Sequence, residues 1–309
     1  MAPVELRDAA RSGGPPKDGI PSIDDPQFID PSAVDFLDPG DPVFGVVRNG
    51  ETKVYAQKIL AQHEIVNDTL GDEPVSVTYC PLTGTVLGFE RGTTTFGVSG
   101  RLINNNLVMY DRATETWWPQ ILATSIPGPW NASPGTHSLR EFRLVWTTWD
   151  RWRTQHPDTR VLSTDTGSAR NYGNDPYGSY NPLGGYYRSG GGMFPSLEGP
   201  DTFEDKTVVM GARAPDGAVA FRKDAIRDQH VMTGALGDTP VVAIYDDRLD
   251  TAYIYENPDG ISFEYDDGTV VGPDGADHAP DALSLTHIHT FDAMWFAWAG
   301  YYPGTTTYA

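Results

Sequence analysis

The sequence predicts an α+β protein, predominantly β, made of two repeated β-rich lobes with short helices and a long Gly/Tyr-rich connection. Three observations predict it. Apolar and polar residues alternate in short runs, as in Val75-Ser76-Val77-Thr78-Tyr79, which is the period of a half-buried strand. Glycine (33) and proline (25) are frequent, so the chain turns often and leaves little room for long helices. Two widely separated stretches also recur in the same order at one constant spacing, the mark of an internal repeat. Val54–Leu60 corresponds to Ala220–Ile226, and Gly71–Tyr79 to Gly237–Tyr245.

Taken in order, residues 1–19 read as a disordered lead. Residues 20–162 form the first lobe. Val43–Arg48 and Thr52–Ala56 are joined by Asn49-Gly50, a strong hairpin signal. Gln57–His63 spaces Ile59, Leu60 and His63 as a short helix does. Val75–Tyr79, Thr85–Glu90 and Thr93–Val98 read as strands, the last two joined by Arg91-Gly92. Leu107–Asp111 and Thr116–Gln120 form a further pair. Trp146, Trp149 and Trp152 suggest one buried helix face. Residues 163–207 are rich in Gly, Tyr and Asn, a long irregular connection whose tyrosines suggest packing over something. Residues 208–309 form the second, shorter lobe. It ends on Trp295-Phe296-Ala297-Trp298, the counterpart of Trp149–Trp152.

The formal net charge is -20, from 31 Asp and 11 Glu against 17 Arg and 5 Lys. So dense a carboxylate surface repels nucleic acid. The acids are scattered rather than blocked, which suggests an adaptation to high salt and a halophilic source. A single cysteine excludes an internal disulfide framework. The first residues carry no apolar signal region and no run is long enough for a membrane span, so a cytoplasmic location is expected. A homo-oligomer is compatible with the sequence. No phosphate-cradling GxxxxGK[ST] and no dinucleotide GxGxxG is present, so no nucleotide cofactor is signalled.

The stretch with most chemistry is His63–Thr85, HEIVNDTLGDEPVSVTYCPLTGT. It ends its strand on Cys80, where Pro81 prevents continuation. In the second lobe Asp246 stands where Cys80 would be, and Gln229-His230 where His63-Glu64 would be. The scaffold is repeated and the chemistry is not, which favours a site in the first lobe.

The segments IPSIDDPQF, HEIVNDT, TYCPLTGT, FGVSGRLINNNLVMYDRATETWW and MWFAWAGYYPGTT resemble the family called domain of unknown function 3179, found in bacteria and archaea. The resemblance runs from about Ile20 to the C-terminus and brings little biochemistry with it. Many members read CPLCGS where this chain has Cys80-Pro81-Leu82-Thr83-Gly84-Thr85, so Thr83 replaces a second cysteine and a dithiol couple is not expected.

Three functions compete. In a metal site, Cys80, His63, Met109, His287 and His289 would supply ligands suited to copper or zinc. His287-Ile288-His289 on a strand puts both imidazoles on one face. In a thiol- or redox-dependent enzyme, Cys80 would be the nucleophile and His63 its base, with Glu64, Asn67 or Asp68 orienting the imidazole. Asn67, Asn105, Asn106, Asp111 and Arg112 would then contact a small-molecule substrate. In a non-catalytic binding or assembly protein, Cys80 would be a buried structural residue. The sequence favours a metal- or thiol-dependent, oxidoreductase-like enzyme with a Cys80/His63-centred site over the binding or assembly protein.

Overall fold

The computed structural model describes residues 2–179, 182–188, 190–273 and 275–309. Tyr180, Asn181 and Ser189, three residues of the long connection, lie outside the described residues. The chain is mostly β, in several small sheets with five short α-helices among the described residues.

The Asn49-Gly50 turn forms as expected. Both residues take positive φ (52° and 78°), as a two-residue hairpin turn demands. It joins strands Pro42–Arg48 and Glu51–Ala56. Helix Gln57–His63 follows, then an antiparallel sheet in the order Arg140–Phe142, Thr85–Glu90, Glu73–Cys80, Ile65–Leu70.

The strand Glu73–Cys80 is not half-buried. From Val75 onward every residue is buried. Val75, Val77 and Tyr79 face one core with Phe44, Tyr55 and Leu60. Cys80 faces a second core with Met109, Phe291 and Trp295. The polar residues on that second face are hydrogen-bonded: Ser76 Oγ donates to Asn67 Oδ1 (2.7 Å) and Thr78 Oγ1 to the Leu87 carbonyl (2.9 Å). Satisfied hydroxyls let an alternating strand sit between two cores.

Three local expectations are corrected. The lead is structured: helix Pro3–Asp8 buries Leu6, and Arg11–Ser12 pairs with Leu102 and Arg101. Thr85–Glu90 and Phe96–Ile103 do not share a sheet, because the second pairs instead with Asn106–Asp111. Trp146 lies on strand Val145–Thr148, and only Trp149 and Trp152 belong to helix Trp149–Gln155.

The two halves share bonds in detail. Trp152 Nε1 donates to Thr159 Oγ1 at 3.0 Å, and Trp298 Nε1 to Thr305 Oγ1 at 3.0 Å. Trp152 lies across Gly45 and Trp298 across Gly211; a Cβ at either glycine would fall 2.2 Å from the indole. In the first half Val145–Thr148 runs antiparallel to Pro42–Arg48, and Arg160–Leu162 parallel to Glu51–Ala56. In the second, Thr290–Met294 runs antiparallel to Val208–Ala214, and Thr306–Tyr308 parallel to Gly217–Arg222. The halves meet through a common core in which helix Trp295–Tyr301 packs against the Cys80 face. The Met294 amide donates to the Thr83 carbonyl at 2.9 Å across this contact.

Candidate functional site

The site is built on the end of helix Gln57–His63. Glu64 stops the helix by taking φ 59° and ψ -30°, a left-handed conformation unusual for a residue with a Cβ. Its amide donates to the Leu60 carbonyl (2.7 Å) and its carbonyl accepts the Tyr79 amide (2.8 Å). The chain is therefore held at both sides of Glu64, next to the end of the Cys80 strand. His230 repeats this geometry in the second half, with φ 63° and its carbonyl accepting a hydrogen bond from the Tyr245 amide at 2.8 Å. The backbone device belongs to the fold, while the carboxyl belongs to this half alone.

The Glu64 side chain is 6% exposed, and no hydrogen bond among the described residues engages its carboxyl. Burial pushes it up to about 8, so it is protonated at neutral pH. Cys80 is 1% exposed. Its thiol donates to the Asn105 carbonyl at 3.5 Å. Burial, and then the charge of Glu64, push the thiol up to about 11. A thiolate is therefore disfavoured here.

The connection covers this pair. Tyr186 donates its hydroxyl to the Leu82 carbonyl at 2.7 Å. Tyr187 donates to Asp175 (2.9 Å), and its hydroxyl lies 3.2 Å from that of Tyr79. Asp175 also accepts Gln57 Nε2 at 2.9 Å, and burial raises its pKa. Tyr177 sits among them: burial, then the charges of Glu64, Cys80 and Asp175, raise its pKa strongly. Gln57, 2% exposed, keeps a buried Oε1 without a partner among the described residues.

His63 is engaged elsewhere. Its Nδ1 lies 2.6 Å from the Pro21 carbonyl, which can only accept, so Nδ1 carries the proton. Nε2 then accepts from Tyr172 Oη at 2.5 Å, and Tyr172 Oη in turn lies 2.6 Å from Thr166 Oγ1. Burial lowers the pKa of His63 and keeps it neutral.

The other residues singled out from the sequence are occupied by the fold. Asn67 donates to Asp24 and the Phe96 carbonyl and accepts from Ser76 and the Phe96 amide. Asp68 accepts from Lys53, Tyr55 and the Thr69 amide. Asn106 donates to Thr83, Thr85 and Gln120 and accepts the Ile121 amide. Asn105 holds the connection, donating to the Phe194 carbonyl and accepting its amide. Asp111 anchors a turn through Thr114 and takes the Trp118 indole N–H. Arg112 is tied to Asp24, Ser22 and Thr95. Met109 is core. His289 lies beside Glu141, 3.7 Å from Nε2 to Oε1, and His287 packs on Tyr253 and Tyr255. Among the described residues, no group of three or more His, Cys, Asp or Glu side chains is arranged to hold a metal ion.

The family model described as "Protein of unknown function (DUF3179)" matches residues 17–305. The chain belongs to the DUF3179 family. No curated protein and no solved structure gives a significant match. No helix of this DUF3179 chain is long and apolar enough to cross a membrane among the described residues. The sequence reading missed Gln57, Asp175 and Tyr177 as neighbours of the site. The one signal pointing to them was the concentration of Tyr and Asp in an irregular connection, which fixes no contacts by itself.

Proposed function

We propose that this DUF3179 chain is an enzyme acting on a small molecule, with the Glu64 carboxyl as the proton-handling group and the Cys80 thiol beside it. The observation that supports this is a carboxyl that is buried, without a hydrogen-bond partner among the described residues, and set on a left-handed residue. An acid protonated near neutrality is suited to general acid catalysis. We further infer that the two halves are copies of one unit. The second copy carries Asp246, bound by Arg248, where the first has Cys80, and so lacks the pair.

Infrared spectroscopy sees the carboxyl directly. A protonated-carboxyl band that disappears around pH 8, and is missing in Glu64→Gln, supports the reading. Disappearance near the ordinary value of 4.5 removes it. Any turnover found should fall as pH rises through the same midpoint. A second reading, a non-catalytic binding protein, is favoured by the depth of Cys80 in an apolar core. It predicts that Glu64→Gln changes no turnover. A thiolate–imidazole copper or zinc site would instead show as near-stoichiometric metal, lost in both Cys80→Ser and His63→Ala.

A further inference from the structure

Strands Glu51–Ala56 and Ile65–Leu70 belong to different sheets, and three charged side chains meet between them. Glu51 and Lys53, two residues apart, share one face of the first strand, and Asp68 comes from the second. Lys53 Nζ lies 3.1 Å from Asp68 Oδ1 and 3.2 Å from Oδ2, so the amine faces the carboxyl carbon. The Thr69 carbonyl accepts from the same amine at 2.7 Å, and the Phe28 ring lies 4.5 Å from it. Tyr55 Oη donates to Asp68 Oδ2 at 2.7 Å. Glu51 Oε2 lies 3.2 Å from Lys53 Nζ, and that oxygen is buried without a hydrogen bond of good geometry among the described residues. The Asp68 side chain is 6% exposed and that of Lys53 13%.

The second half closes the same gap without charge. Glu51 pairs with Arg48 as Gly217 pairs with Ala214, and Asp68 with Val75 as Gly234 with Val241. In this register Gly217, Val219, Phe221 and Gly234 stand where Glu51, Lys53, Tyr55 and Asp68 stand in the first half. Phe221 stacks on Tyr308 at 4.9 Å, and a Cβ at Gly234 would fall 2.6 Å from the Tyr308 ring. The fold therefore does not require the charged set, and its four members are present or absent together.

An amine held against a carboxyl carbon, with a second carboxylate beside it and a hydroxyl on one carboxyl oxygen, is the arrangement that amide formation needs. We propose that Lys53 and Asp68 join through an intramolecular amide bond, with Glu51 as the proton carrier. Nζ attacks the Asp68 carboxyl carbon while Oδ2 is held by the Tyr55 hydroxyl and becomes the amide oxygen. Nζ keeps one of its three hydrogens. The other two pass by way of Glu51 to Oδ1, the carbon–Oδ1 bond breaks, and one water leaves. Glu51 ends as it began, and no oxidant or reductant is used. The product replaces a desolvated ion pair by a neutral amide and ties two sheets by a bond that salt does not screen.

Intact-mass measurement of the denatured full chain, with a tryptic map, tests it. The wild type should weigh one water less than its sequence. Lys53 and Asp68 should appear in one branched peptide, because trypsin does not cleave after an acylated lysine. Glu51→Gln changes a side chain that is 39% exposed, so it should fold with a cooperative melt. It should nevertheless carry its full sequence mass, lose the branched peptide and melt below the wild type. A wild type of full sequence mass, cleaved by trypsin after Lys53, overturns the proposal. A folded Glu51→Gln that retains the branched peptide also overturns it.

Discussion

His63 Nε2 accepts a hydrogen bond from the hydroxyl of Tyr172, 109 residues further along the chain, at 2.5 Å. This contact ties the connection to the first half and takes the imidazole away from a role as a base for Cys80. Tyr172→Phe leaves a buried ring nitrogen unsatisfied and should cost about 1–3 kcal/mol in urea unfolding at fixed salt. His63 also sets a pH dependence. Its folded pKa lies below the ordinary 6.5, so the unfolded chain binds more protons at low pH. Stability is full above 6.5 and is lost as pH falls below it. His63→Gln should remove that acid slope.

Glu64 acts in the opposite direction. Its ordinary value is 4.5 and its folded value about 8, so between these limits the folded state holds the extra proton. Its contribution is full below 4.5 and is lost as pH rises to about 8, at no more than about 1.4 kcal/mol per pH unit. The stability difference between Glu64→Gln and wild type should grow across this window, in favour of the variant, and then level off. A constant difference would mean that the carboxyl is ionised in the folded state.

Cys80 should resist alkylation in the native protein. Burial holds the thiol at about 11, so iodoacetamide should react slowly at pH 8 and quickly only after unfolding in urea. The Glu64 charge contributes to the raised value. Glu64→Gln should therefore move the alkylation midpoint to lower pH. Rapid native labelling at pH 8 would show an activated thiol and contradict this environment.

Gly45→Ala and Gly211→Ala should be destabilising to a similar degree. At each position the new Cβ would meet an indole at 2.2 Å, on a strand that cannot move without breaking its ladder. A cost of about 1–3 kcal/mol or more is expected from overpacking. Thermal unfolding of both variants checks it, and a tolerated alanine in one half alone would show that the tryptophan cradles differ.

With a net charge of -20, the folded chain should gain stability from near-zero to molar sodium chloride. Thermal melts over a salt series measure this. A melting temperature independent of salt would show that surface repulsion is not a significant term.

The hairpin at Asn49-Gly50, the helix Gln57–His63 and the strand ending at Cys80 were legible because each depends on neighbours in sequence. A left-handed turn needs Asn and Gly, a short helix shows its apolar spacing, and a proline marks where a ladder stops. The proposal that the halves are copies drew on stretches that recur in order, Val54–Leu60 with Ala220–Ile226 and Gly71–Tyr79 with Gly237–Tyr245. The depth of Cys80 was not legible, since Val75–Tyr79 alternates as a half-buried strand would. Only packing on both faces, with Ser76 and Thr78 hydrogen-bonded, makes the strand interior.

By itself the sequence determined the β-rich class, the family and such local elements as the Asn49-Gly50 hairpin and helix Gln57–His63. Tertiary structure decided which side chains meet. It gave His63 to Tyr172, satisfied Asn67, Asp68 and Asn106 within the fold, and left Glu64 buried beside Cys80 without a hydrogen-bond partner among the described residues. The physical reason is that a buried polar group takes whichever partner the fold brings within reach. Those partners lie up to 109 residues away, beyond what any local pattern encodes.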